Sequence, residues 1–282
     1  MKFTKMHGAG NDYVYVNGFS YTGHNWSSIS KRISDRHTGI GSDGLIIALP
    51  SSVADLRMQM FNADGSEGEM CGNGIRCLVG FAMSEGLIAK DNSIKNVETN
   101  SGVLTVEPIF TGNTMSEAIV NMGEPVLEPS LIPVQIDISS VPVLSHEMEL
   151  CGISMELGFV SMGNPHAVLF IDDPVDDFPL ESIGPIVENL SCFPDGINLE
   201  IANVVAFDQI RVRVWERGSG LTMACGTGAC AVAVIAQLKG LVGNEVKLDM
   251  PGGRLNVKWN KNDSVMMRGP IEMTFRGEWD EF

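Results

Sequence analysis

FNADGSEGEMCGNGIRCLVGFAMSEGLI, residues 61–88, and WERGSGLTMACGTGACAVAVIAQLKGLV, residues 215–242, align without a gap. The offset is constant (225 − 71 = 154) and sets Cys71 on Cys225, Gly72 on Gly226, Gly74 on Gly228, Ala82 on Ala236 and Gly86 on Gly240. Two more landmarks recur at nearly that spacing. Gly10-Asn11 matches Gly163-Asn164 (164 − 11 = 153), and SGVLTVE from Ser101 matches GGRLNVK from Gly252 (252 − 101 = 151). Three landmarks in one order describe two homologous halves related by pseudo-symmetry. Fortuitous likeness of glycine-rich turns explains one such match more readily than three.

Working outward, each half reads as short alternating strands around one prominent helix. The first helix is expected from Gly72 or Asn73, with Ile75, Leu78, Val79 and Ala82 at helical spacing, and Gly86 as its stop. The second is expected from Gly228 to Lys239, apolar on nearly every face, so it should be surrounded by protein, with Gly240 ending it. Strands are expected at Val14 to Val16, Leu45 to Ala48, Ala118 to Val120, Ala167 to Ile171 and Ile210 to Trp215. The fold class is therefore α+β: two pseudo-symmetric half-domains, each a mostly antiparallel sheet wrapped around a central buried helix. The division is set at residues 1–117, joined by the C-terminal tail 268–282, against residues 118–267, with the proline-punctuated stretch Gly123 to Pro133 as connection.

The chemistry is expected at the two helix starts. Cys71-Gly72-Asn73-Gly74 and Cys225-Gly226-Thr227-Gly228 each put a cysteine just ahead of a Gly-x-Gly turn. Unpaired N–H groups and the positive dipole end favour a thiolate there and lower the thiol pKa. The glycines let backbone N–H groups close on an anion such as a substrate carboxylate. Pseudo-symmetry would bring the two helix starts face to face, one sulfur on each side of a substrate carbon. Inverting a stereocentre by proton transfer needs that pair, a thiolate on one face and a thiol on the other. A single cysteine is by default a small buried hydrophobe, and Cys77, Cys151, Cys192 and Cys230 are assigned to packing.

Composition narrows the alternatives. Hydrophobic residues at 44% and charged residues at 19% suit a folded core, and 282 residues suit two domains. A net charge of −16 opposes nucleic acid and anionic membrane as partners. No apolar run reaches the length of a membrane span. The start, MKFTKMHGAGND, turns polar before a signal-peptide apolar region could form, so a cytoplasmic location is expected. Six cysteines are too few for a disulfide scaffold, and their spacing lacks the step of zinc sites, so no metal is expected.

The motifs KMHGAGNDYV, FNADGSEGEMCGNGIRC, GNPHAV, GINLEIANV, WERGSGLTMACGTGACA and the closing PGG and RGP turns closely resemble those of diaminopimelate epimerases over essentially the full length. The resemblance implies interconversion of LL- and meso-diaminopimelate without pyridoxal phosphate or other cofactor, and a place in lysine and peptidoglycan precursor synthesis. It implies that Cys71 and Cys225 are the acid–base pair, and that Gly72-Asn73 and Gly226-Thr227 bind the α-carboxylate. Asn11, Asn62, Asn164, Asn198, Glu216 and Arg217 match substrate contacts, and His166 and Glu216 match positions that influence cysteine protonation. Alone, the asparagines read as turn residues and His166 as a structural histidine. Arg217 could pair a carboxylate in bidentate fashion.

Two positions depart from the family pattern. Gly44 stands where some members have a substrate-touching glutamine, which bears on selectivity, and Phe275 stands where relatives have a tyrosine linked to homodimers. Three other readings stay open at this stage: a two-cysteine racemase of histidine or a proline derivative, a thiol redox protein, and a non-catalytic amino-acid-binding module. The asparagines and Arg217 favour a small-molecule substrate with a second amino-acid head group.

Overall fold

The computed structural model describes residues 1–21, 23–137 and 140–280. The chain divides into two compact units, Met1–Asn121 with the residues from Arg268 onward, and Met122–Met267.

In the first unit, β1 (Lys2–Gly8) and β2 (Asn11–Asn17) form a hairpin over Ala9-Gly10, both at positive φ (52° and 82°), as a primed turn requires. After α1 (Trp26–Ser34), β3 (Gly44–Leu49) runs parallel to β2, and β4 (Leu56–Asn62) runs antiparallel to β3. Two-residue β5 (Glu67–Gly68) pairs with β4 before α2 (Gly72–Ser84). Then β6 (Lys95–Thr99) runs parallel to β4, β7 (Gly102–Thr111) antiparallel to β6, and β8 (Thr114–Asn121) antiparallel to β7. Strand alternation sorts the side chains into two layers. Val14, Val16, Leu45 and Ile47 pack with Trp26, Ile29 and Ile33 of α1, whereas Tyr15, on the opposite face, donates its hydroxyl to Gly74 O of α2 at 3.2 Å.

The second unit repeats the scheme. A hairpin edge β9 (His146–Leu150) precedes β10 (Ile153–Ser161), β11 (Pro165–Phe170), α3 (Leu180–Glu188), β12 (Asn198–Ala206), β13 (Gln209–Glu216), β14 (Gly220–Thr222), α4 (Gly226–Leu238), β15 (Glu245–Met250) and β16 (Gly253–Lys258). From β10 to β16 the pairing senses run antiparallel, parallel, antiparallel, antiparallel, parallel, antiparallel, the series seen from β1 to β7. The chain leaves through β17 (Met266–Pro270), and β18 (Glu272–Glu278) pairs antiparallel with β1.

The two central helices end alike. Gly86 and Gly240 take φ of 72° and 73°, and the amides of Leu87 and Leu241 reach back to Ala82 O and Ala236 O at 2.9 Å each. This is the six-to-one closure that a left-handed glycine permits. The faces of α4 are apolar because nearly all of its residues, Cys230 to Ala236 included, are buried.

Several local expectations are corrected. A second helix, α1 or α3, covers the opposite face of each sheet; α1 is capped by Asn25, whose side chain accepts from Ser28 N at 3.1 Å, and α3 carries Pro185 inside it. Gly123 to Pro133 is no free connection: Val126 bridges to Ser161, and Ile132 and the following Val134 are buried in the second unit's core. The units part after Asn121 because β8 runs unbroken through 117/118, paired to β7. Cys151 does not pack. It is exposed beside Gly152 at the β9–β10 turn, both at positive φ (53° and 77°).

Gly44 opens β3 in register with Tyr13 and Asn62, and a Cβ there would lie 2.1 Å from Phe61 O and 3.0 Å from the Tyr13 ring. Any side chain must therefore push β3 from its neighbours. Gly44→Ala is expected to destabilise the protein by about 1–3 kcal/mol, lowering Tm in thermal unfolding by roughly 2–4 °C per kcal/mol; an unchanged Tm would mean that the strands part without cost.

Candidate active site

Each central helix begins on a cysteine. Cys71 (φ −136°, ψ 117°) and Cys225 (φ −116°, ψ 119°) are the N-cap residues of α2 and α4, and their sulfurs accept from Gly74 N at 3.3 Å and Gly228 N at 3.4 Å. Sulfur thus takes the part usually played by a serine or threonine oxygen. Space is tight at that third position. A Cβ on Gly74 would lie 2.6 Å from Ile46 Cδ1, and one on Gly228 would lie 2.7 Å from Glu200 Oε1. Ahead of the capped amide come the main-chain N–H groups of Gly72-Asn73 and Gly226-Thr227, at a helix start suited to an anion.

In the first unit, the half-buried Cys71 donates its thiol hydrogen to Asn11 Oδ1 at 3.2 Å. Asn73 is turned inward: it is 1% exposed, and its Oδ1 accepts from Arg76 Nη2 at 2.8 Å. Arg76 is itself fully buried and also donates to Gly72 O at 3.0 Å. What Asn73 can offer at the helix start is its main-chain N–H, not its amide. Asn62 closes β4, with Nδ2 donating to Ser66 Oγ at 3.0 Å.

The second unit is built differently around the same backbone. Cys225 is 5% exposed, 3.3 Å from Thr227 Oγ1. On the sheet face turned to α4, the fully buried His166 and Glu200 pair through Nδ1 and Oε1 at 2.7 Å, and His166 Nε2 lies 2.9 Å from Asn164 Oδ1. Burial pushes the Cys225 thiol well above its ordinary value, and the carboxylates of Glu216 and Glu200 push it further, against Thr227 and the Gly228 amide. The expectation that the helix start lowers this thiol's pKa is thereby overturned. Desolvation and two negative charges outweigh the Thr227 hydroxyl and the Gly228 amide. Burial also raises the Glu216 carboxyl, opposed by hydrogen bonds from Thr222 and Cys225.

Asn198 is 2% exposed and spends both ends of its amide internally, Nδ2 on Pro165 O at 2.7 Å and Oδ1 on Arg217 N at 2.9 Å. It sets the backbone from which the exposed Arg217 projects, with Arg217 Nη1 donating to Asp195 O at 2.9 Å. Within the first unit, then, Asn11, Cys71, Gly72 and Asn73 come together; within the second, Asn164, His166, Glu216, Cys225, Gly226 and Thr227, with Asn198 beside Arg217. Sequence reasoning missed Asp43, which binds Asn11, and Glu200, whose signal was a lone carboxylate in the apolar run LEIANVV. Cys77 and Cys230 are fully buried, and burial pushes the Cys77 thiol up to about 12, as suits packing residues.

A family model described as diaminopimelate epimerase matches residues 3–128 and 158–274. The chain belongs to the diaminopimelate epimerase family. It is 46% identical over 284 residues to the diaminopimelate epimerase of Desulfovibrio desulfuricans, covering 99% of this chain and 98% of that protein. It is also 46% identical over 281 residues to that of Methanococcus maripaludis, covering 99% and 100%. Among solved structures, a probable proline racemase from Agrobacterium radiobacter K84 superposes with a TM-score of 0.71 at 13% identity, covering 100% of this chain and 93% of the other. A hydroxyproline epimerase from Agrobacterium vitis superposes with 0.70 at 13% identity, covering 98% and 91%. These structures share the α+β architecture expected from the duplication.

The charge on Glu216 opposes a thiolate at Cys225. Glu216→Gln is therefore expected to shift the pH profile of Cys225 alkylation downward, measured peptide by peptide by mass spectrometry. An unmoved or upward-shifted profile would show that this carboxylate is not what holds the thiol protonated.

Proposed function

We propose that the chain is a cofactor-independent isomerase that converts LL-diaminopimelate to meso-diaminopimelate, with Cys71 and Cys225 exchanging the Cα proton from opposite faces. The observation that carries this reading is the paired cap geometry: in two copies of one motif, a sulfur sits at the N-terminus of a central helix, beside the N–H groups of Gly72-Asn73 or Gly226-Thr227. Membership of the family and the curated names of relatives at 46% identity support the substrate.

In this reading a thiolate removes the Cα hydrogen and becomes a thiol, while the electron pair left on Cα spreads into the α-carboxylate. Helix N–H donors aimed at that carboxylate stabilise the developing charge. The thiol on the other face gives its hydrogen to Cα and becomes a thiolate, so the atoms balance and the two sulfurs exchange roles in the reverse direction. Cys225, whose thiolate is disfavoured by burial and by Glu216 and Glu200, is suited to deliver a proton. Asn11, Asn62, Asn164, Glu216 and Arg217 are assigned to the substrate's ammonium and carboxylate groups, with Asn198 holding Arg217 in place. His166 and Glu216 act on the protonation of Cys225.

Each half-domain supplies one sulfur. The protein is proposed to work in the cytoplasm as a homodimer, with β18, where Met273 and Phe275 are 48% and 44% exposed, as the contact strand. Its product would enter lysine and peptidoglycan precursor synthesis.

Incubation in deuterated water with no added cofactor tests the assignment. Cα exchange is expected with diaminopimelate and not with histidine or proline derivatives. Cys71→Ala and Cys225→Ala should each lower kcat by about 100-fold or more, the scale of a lost acid or base. Faster exchange with another amino acid would overturn the substrate, and full activity in either variant would overturn the mechanism.

A further inference from the structure

An asparagine amide has two ends of similar size, and which end faces a neighbour is settled by its hydrogen-bond partners. Asn11 has a carboxylate on one side. Its amide nitrogen lies 2.7 Å from Asp43 Oδ2, which also accepts from Asp12 N at 3.0 Å. A carboxylate oxygen only accepts, so the NH2 end must face Asp43. The carbonyl end is left facing Cys71 Sγ at 3.2 Å, and an oxygen that only accepts requires the sulfur to bring the hydrogen. Asp43 is itself braced: Arg36 Nη2 donates to its Oδ1 at 2.9 Å and to Asp12 Oδ1 at 2.7 Å, and Asp43 N donates to Asp12 O at 2.8 Å.

We propose that Asp43 is a positioning residue, which locks the Asn11 amide so that its carbonyl oxygen holds the Cys71 thiol hydrogen. The proposal rests on the epimerase reading for its purpose, because it fixes the resting protonation state of one member of the acid–base pair. An amino group that donates to the same oxygen competes with the thiol, which links release of the Cys71 hydrogen to the seating of an amino acid. The device belongs to one half. The position matching Asp43 in the repeat (197 − 43 = 154) is Ile197, fully buried and apolar, and the oxygen of Asn164 there accepts from His166 instead of from a cysteine. The charged and titratable groups about the lock are Arg36, Asp12 and Lys5 on the Asp43 side, and Tyr13, Tyr15 and Cys77 on the sulfur side.

The test is the pH profile of iodoacetamide alkylation at Cys71, quantified by mass spectrometry on the full chain, in Asp43→Ala, Asn11→Ala and the double variant. Without Asp43 the Asn11 amide can turn its NH2 toward the sulfur and favour the thiolate, so Asp43→Ala should lower the alkylation midpoint by about one pH unit. In the Asn11→Ala background the same change should add no shift. If Asp43→Ala fails to fold, Asp43→Asn serves, with a smaller shift and the same dependence on Asn11. An unmoved midpoint overturns the proposal, and so does a shift that persists without Asn11, since that would be the direct effect of a charge. Absence of epimerase activity in the wild type would end the functional reading and leave the alkylation result standing.

Discussion

The bond on which the rest of the structure depends is the one from the third helical amide to a cysteine sulfur, Gly74 N to Cys71 and Gly228 N to Cys225. It holds each sulfur at the positive end of a buried helix, beside a glycine with little free space around it. Everything around it follows as support. The sheets bury the helices, the glycine closures at Gly86 and Gly240 end them, and the hairpin turns at Ala9-Gly10 and ahead of Asn164 deliver an asparagine to each unit's site.

Duplication supplies the same backbone twice, but the side chains facing each sulfur have diverged. Tyr13 and Ile46 in the first unit stand where His166 and Glu200 stand in the second (166 − 13 = 153 and 200 − 46 = 154), and the parallel pairing of their strands has the same register. The second sulfur consequently lies over a buried, hydrogen-bonded histidine and carboxylate, with Glu216 beside it; the first lies half-buried against an asparagine oxygen. Both surroundings favour the thiol, but by different means: burial and carboxylates act on Cys225, whereas the Cys71 hydrogen rests on one asparagine oxygen that an incoming amino group can claim.

Much of this was legible in the sequence because the repeat is ungapped through the central helix, where glycine spacing and apolar periodicity both survive. The capping cysteines, the helix ends and the α+β class followed from it. What escaped is local and competitive. α1 is nine residues long, with Trp26, Ile29 and Ile33 forming a short stripe, and Pro185 masks α3, so tertiary burial against the sheets decides both. The pKa of Cys225 could not be read from its place at a helix start, since burial dominates it and one opposing charge, Glu200, arrives from β12, while Glu216 stands only nine residues ahead within the motif (225 − 216 = 9). Asp43 hid in a glycine-rich turn, and the bonds by which Asn198 ties Pro165 to Arg217 are tertiary ones that its motif does not show.

The central claim is that two sulfurs, not one, handle the proton. The most direct measurement is the isotope content of product formed from LL-diaminopimelate in deuterated water at low conversion. Two bases predict that the meso product carries solvent deuterium at the inverted carbon while recovered substrate stays protiated. Return of the original hydrogen to the product would mean that a single base carries it from face to face, and would contradict the account.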